Sequence, residues 1–206
     1  MLPLKKVFIA DAPKQTAPSS WAKYTHIRGY HACRPEDIEA YYREGIRALT
    51  IHEKRQNAMR IFSKGLDEII AYEDSGPLKE REDVWFCLSQ QELKTDSGHY
   101  LCYGSEYLAG LAASFDYSQT GRFHDLLLNT GTPTIFVCDV PLEFVPEAYL
   151  EDIQRYFSPD GGFCIHRCLP ESCIVRHVCP KSGRDPLCYH VARKFSPHTY
   201  ISSSAP

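Results

Sequence analysis

The chain has 206 residues, 43% of them hydrophobic and 24% charged, a length that suits one domain with a real core. An aromatic share of 12% with a net charge of only −3 excludes a chain disordered throughout, 12 Gly and 14 Pro without a period exclude a fibrous repeat, and no apolar run approaches the ~20 residues of a membrane span. The net charge hides a segregation: 12 Lys/Arg against 6 Asp/Glu over residues 1–65, 5 against 18 over 66–160 and 6 against 2 over 161–206, blocks that bear on local fields and partners, not on fold, and that an uneven solvated surface explains equally well.

Val7 to Ala10, followed by Asp11, is shorter than the ~7–15 apolar residues of a secretory signal, so the expectation is a soluble cytoplasmic protein without a membrane partner; delivery into another cell stays open. Residues 1–20, ending Thr16-Ala17-Pro18-Ser19-Ser20, read as a loose arm or a short edge strand ahead of a domain at 21–200, with a tail at 201–206. Trp21 to His31 spaces aromatic and β-branched residues by polar ones and predicts a strand near Gly29 to Ala32. Arg34-Pro35-Glu36-Asp37 opens a helix with Ile38, Tyr41 and Tyr42 on its apolar face and Gly45 closing it. Ala58, Ile61, Phe62, Leu66, Ile69 and Ile70 recur at helical spacing within a second helix over 53–72. A charged loop from Gly76-Pro77 leads to a buried strand at 84–88, and the turn Thr95-Asp96-Ser97-Gly98 leads to a strand at 100–103. Ser105 caps a helix through about Phe115. After a loop at 116–122, Thr134 to Cys138 is the clearest strand and ends at Pro141. A helix near 147–156 and strands near 163–166 and 173–178 complete the chain. Helices early, strands late and no regular β-α-β alternation predict an α+β single domain.

Nine cysteines are many for a cytoplasmic chain. Cys164, His166, Cys168, Cys173, His177, Cys179, Cys188 and His190 crowd residues 164–190 with ligand types zinc prefers, but no C-x2-C pair is present. Small buried core residues account for these cysteines more economically than zinc or redox chemistry. An odd count and the absence of a signal argue against a disulfide framework. Gly104 and Gly161-Gly162 belong to no phosphate-binding glycine motif, and neither H-E-x-x-H nor G-x-S-x-G occurs. P-loop, zinc-protease and serine-hydrolase chemistry are therefore poor readings.

Three short segments at predicted strand ends remain: Tyr30-His31-Ala32-Cys33-Arg34 with Gly45-Ile46 following, Gly98-His99-Tyr100-Leu101-Cys102-Tyr103-Gly104-Ser105-Glu106-Tyr107, and Leu169-Pro170-Glu171-Ser172-Cys173-Ile174-Val175. Alone, each has a bland explanation, such as a hydrogen-bonded strand histidine or a turn glutamate. Together and in this order they resemble the ADP-ribosyltransferase fold of the poly(ADP-ribose) polymerase and diphtheria-toxin type, whose signature is a His on an early strand, a Tyr in the middle and a Glu opening a late strand. Ala32 stands where that family usually has Gly, the tyrosine interval is shorter here, and one extra residue separates Glu171 from the closing strand. The resemblance spans residues 30–178 on about a dozen positions and implies two packed, mainly antiparallel sheets with helices concentrated in the N-terminal half.

It also implies a reaction. NAD+ is the substrate, the nicotinamide–ribose bond breaks through an oxocarbenium-like transition state, and ADP-ribose passes to a protein or nucleic-acid acceptor, with plain hydrolysis as a variant. His31, Tyr100 and Glu171 become the catalytic set, and His31, Ala32, Arg34, Tyr103, Ser105 and Tyr107 the NAD+-binding set. Tyr100 or Tyr103 with Tyr107 stack on nicotinamide, Ser105 holds its carboxamide, the Ala32 amide stays available to it, and Glu171 takes the ribose 2′-hydroxyl beside developing positive charge. Arg34, Arg47, Arg167 and Arg176 face the anionic dinucleotide or a nucleic acid. No metal is expected in this site, and zinc belongs to the alternative, a non-catalytic interaction module with a Cys/His site near 164–190.

Overall fold

The computed structural model describes residues 4–75, 83–116, 121–166, 168–185 and 192–195. Strand β1 (Val7–Phe8) runs parallel to β2 (His26–Cys33). Phe8 is buried with its ring edge-on to Trp21, Tyr24 and Phe157, and the Lys6 carbonyl accepts the N–H groups of Thr25 and His26. Aromatic burial thereby fastens residues 6–8 to the main sheet.

Helix α1 (Ile38–Glu44) starts where Asp37 accepts the N–H groups of Glu39 and Ala40 and stops at Gly45, whose φ of 80° admits no side chain comfortably. Strand β3 (Ile46–Arg47) follows. The single helix expected over 53–72 is two, α2 (Ile51–Phe62) and α3 (Leu66–Ser75). Ser63 adopts a left-handed conformation at the break and Glu68 accepts the Gly65 N–H, so local end chemistry overrides the continuous apolar spacing. The charged loop expected after Gly76 lies outside the described residues through 82.

Strand β4 (Asp83–Cys87) is as expected, whereas residues 99–103 form helix α4 (His99–Tyr103), not a strand. The Cys102 N–H donates to the Gly98 carbonyl and the Gly104 N–H to that of Tyr100. Leu101, Cys102 and Tyr103 are all buried, so the segment carries neither a helical nor an alternating pattern to read. Helix α5 (Glu106–Asp116) is capped at Ser105, whose Oγ accepts the Leu108 N–H. Helix α6 (Arg122–Leu128) is an addition to the expected elements; Asp116 receives the Phe123 and His124 N–H groups at its start. Then come β5 (Thr134–Pro141), α7 (Glu147–Arg155), β6 (Gly162–His166), β7 (Cys168–Leu169), β8 (Ile174–Val178), β9 (Ser182–Arg184) and β10 (Ala192–Lys194).

The main sheet has the order β6-β4-β2-β5-β8, antiparallel throughout, with β1 as a parallel addition to β2. Two antiparallel ribbons, β3-β7 and β9-β10, accompany it. The molecule is α+β with antiparallel sheets. One six-stranded sheet and two ribbons replace the expected pair of packed sheets, and helices continue to Arg155 instead of concentrating in the N-terminal half.

Alternation along β2 assigns its residues to two cores. Ile27 and Cys33 join Phe86, Phe136, Phe163, Ile38 of α1 and Ile153 of α7 on one face. Tyr30 and Ala32 join Ile135, Val137 and Leu101 of α4 on the other. A third cluster, including Phe62, Tyr103, Leu111 and Phe123, binds the helices to one another. Among the described residues no helix is long and apolar enough to cross a membrane.

Candidate functional site

Along its β5 side, β2 is paired continuously from His26 to Cys33. The opposite side is piecemeal: β1 takes His26 and Ile27, and β4 pairs only at Tyr30 with Cys87. Beyond that pair the His31 imidazole supplies the next link, its Nδ1 lying 2.9 Å from the Trp85 carbonyl oxygen. A carbonyl only accepts, so Nδ1 carries the proton. Burial lowers the His31 pKa below 6.5, against the carbonyl bond, which works the other way. The ring is therefore neutral at pH 7, with Nε2 left as an acceptor. Trp85, opposite on β4, keeps 37% of its surface exposed, a large fraction for a sheet tryptophan. A neutral histidine and an exposed indole thus flank the place where the central ladder parts.

The middle motif lies elsewhere relative to His31. Tyr100, on α4, packs beside Tyr30, Ala32 and Cys87, on the face opposite the one that His31 shares with Phe86. Its hydroxyl donates to Glu106 at 3.0 Å, and the His99 ring lies over it at 4.0 Å. Tyr103 is core: 2% exposed, its hydroxyl donates to both oxygens of the fully buried Asp185 at 2.8 Å. Tyr107 is buried as well and donates to Glu73. Ser105 caps α5. Buried packing thus occupies the Tyr103 and Tyr107 side chains, whereas the cap uses the Ser105 hydroxyl as an acceptor and leaves its O–H to donate. Ala32 stays on β2 where expected, buried among Tyr30, Cys87 and Leu101.

Arg34 is likewise structural. Its guanidinium donates to the carbonyls of Leu101, Leu128, Thr130 and Gly131 at 2.6 to 3.0 Å, which leaves little for a phosphate. Burial lowers its pKa to about 10, so it stays charged at neutral pH. Arg47 is engaged with Glu53, Arg176 is exposed on β8, and Arg167 lies outside the described residues.

Glu171 opens a 3-10 turn ahead of β8, as a carboxylate exposed to solvent. Among the described residues no hydrogen bond or ion pair takes up that carboxylate. Register measures its separation from His31: Ile174 pairs with Cys138, which pairs with Gly29, whereas His31 pairs with Phe136. Two strands (~10 Å) and more than two residue steps (~7 Å) intervene. His31, Tyr100 and Glu171 therefore do not form one contact cluster.

The Cys/His segment disperses also. Cys173 is buried, Cys164 is half-buried, Cys168 and Cys179 are exposed, and Cys188 and His190 lie outside the described residues. Burial of the whole group is corrected, because β6 ends at His166 and Cys168 moves to the β3-β7 ribbon. Among the described residues no group of three or more His, Cys, Asp or Glu is placed to hold a metal. Burial raises the Cys33 pKa to about 12 and that of Cys87 to about 11, which keeps both as unreactive thiols.

No protein-family model, curated protein or solved structure matches this chain. The residue that sequence reasoning missed is Trp85, taken only as part of a buried strand. Alternation in Asp83–Cys87 puts Val84 and Phe86 on one core face and sends Trp85 with the buried Cys87 to the other, so no sequence signal marks Trp85 as exposed.

Proposed function

We propose that the chain cleaves the nicotinamide–ribose bond of NAD+ and transfers one ADP-ribosyl unit to a macromolecular acceptor. The observation that carries this reading is the parting of β2 from β4 beside Ala32, with His31 and Trp85 on its two sides. Trp85, with 37% of its surface exposed, offers an indole face for a planar ring. The neutral His31 Nε2 accepts a hydrogen bond from a ribose hydroxyl. In the reaction, the bond between ribose C1′ and the nicotinamide nitrogen breaks and its electron pair leaves with nicotinamide. C1′ then bonds to the acceptor nucleophile, whose proton passes to solvent.

The sequence resemblance supports the same reading through His31, Ala32 and Glu171. Glu171 lies two strands from His31 in register, and its variant is read separately. The experiment follows nicotinamide release from labelled NAD+ with protein and nucleic-acid acceptors supplied separately. Wild type releases nicotinamide and labels one acceptor; His31→Ala lowers kcat/KM about 100-fold and Trp85→Ala raises KM about tenfold. Glu171→Gln abolishes release if that carboxylate meets the transition state and leaves it intact if it does not. Binding of NAD+ without release from wild type makes the chain a binding module and overturns the transferase.

A further inference from the structure

Where β4 leaves the sheet, the loops at 9–15, 89–94 and 157–160 line an open surface pocket of about 560 Å³. Its wall includes Asp11, Lys14, Gln90, Lys94, Phe157 and Asp160. Asp11 is already engaged, one oxygen accepting the Tyr30 hydroxyl at 2.9 Å and the other the Gln90 N–H at 3.4 Å. The two lysines are different. Among the described residues neither ammonium has a hydrogen bond or an ion pair, although Lys94 is half-buried.

Lys14 also occupies a position that its backbone disfavours. The Gln15 N–H donates to the Ala12 carbonyl at 3.0 Å and closes a turn with Pro13 second and Lys14 third. Lys14 has φ of 62° there, and a positive φ at the third turn position suits Gly or Asn. Lys14 thus lines the pocket from a backbone conformation that lysine seldom adopts.

We propose that this pocket binds a phosphorylated small molecule of mononucleotide size, with its phosphate against Lys14 and Lys94. Asp160, whose carboxylate has no partner among the described residues, accepts from the ligand's hydroxyl or amino groups, and Phe157 supplies an apolar wall. Two lysines on one wall, neither with a partner among the described residues, favour a ligand with an anionic group over a neutral one. The site is separate from the His31–Trp85 parting and does not depend on the transferase reading.

Calorimetric titration of the full chain with AMP, inorganic phosphate and adenosine tests it. AMP binds most tightly, phosphate more weakly, and adenosine least. Lys14→Gly removes the ammonium and relieves the turn, so it weakens AMP binding about tenfold without lowering the melting temperature. Lys94→Gln weakens it to a similar extent, while His31→Ala leaves AMP affinity within about twofold. Absence of AMP binding, indifference to both lysine variants, or loss of binding in His31→Ala each overturns the proposal. The last outcome would assign the nucleotide to the β2–β4 parting instead.

Discussion

Arg34 shows how a residue's neighbours decide what its chemistry serves. In the sequence it stands three places after His31, and the resemblance makes it a partner for an anionic dinucleotide. In the fold its planar fork gathers four carbonyls from the end of α6, the turn after it and α4, positions 67 to 97 residues away. Those carbonyls were invisible in the sequence, because nothing local marks which backbone groups will lack partners. Lysine has a single ammonium and cannot span the same set. Arg34→Lys is accordingly expected to cost about 2–4 kcal/mol, read from the urea midpoint at unchanged slope. An unshifted midpoint would mean that water replaces the guanidinium at those carbonyls. His31 is the opposite case: its placement on an early strand was legible from the alternation around Gly29, but the bond to Trp85 that fixes its tautomer belongs to tertiary structure.

Among elements, legibility followed end signals. Gly45 closes α1 as expected, Asp37 caps its start and leaves Pro35 outside the first turn, and the run Thr134 to Cys138 became the buried part of β5. The expected strand at 100–103 failed because a short helix buried on nearly every side loses its period, and α6 was missed because its start is capped from Asp116, six residues before Arg122. Helix α2 carries a complete capping box: Thr50 Oγ1 accepts the Glu53 N–H, and Glu53 accepts the Thr50 N–H. Glu53 also takes both terminal nitrogens of Arg47 in β3, tying the helix to the β3-β7 ribbon. These bonds, the Arg47 bond first, lower the Glu53 pKa from 4.5 to about 2. Because the folded pKa lies below the unfolded one, the contribution is fully present above pH 4.5 and is lost as pH falls towards about 2. The stability difference between wild type and Glu53→Gln should therefore be constant near neutrality and shrink over that window, as followed by denaturant midpoints. The effect is modest, since the pair is partly exposed and screened by solvent. A difference independent of pH would detach the capping box from the carboxylate's charge.

For the whole molecule, the first strand carries more weight than its length suggests. Residues 1–20 read as a loose arm or a short edge strand, because Pro, Ser and Thr cluster just before Trp21 and the apolar stretch is brief. That short stretch organises both the sheet and a charge network. Phe8, 1% exposed, sits at the centre of an aromatic group with Trp21, Tyr24 and Phe157, so it links the first strand to the segment after α7. Lys5 and Arg28 both pair with Asp139, which is only 5% exposed in the central strand β5. Burial opposes ionisation of Asp139, yet the bonds from Arg28 and Lys5 hold its pKa below 3.8. Removing the N-terminal segment would strip away the aromatic centre and leave a buried carboxylate with one cation instead of two. Phe8→Ala separates these effects, because it deletes the ring and keeps Lys5. It should cost about 3–5 kcal/mol, the range for emptying a buried aromatic site. Deletion through residue 10 should cost more and abolish the cooperative thermal transition, since β2 would then lose its parallel partner and Asp139 its second cation. Circular dichroism melts of the two variants decide the matter. If the deletion melts like wild type, the first strand only decorates an independent domain, and the boundary at residue 21 is restored.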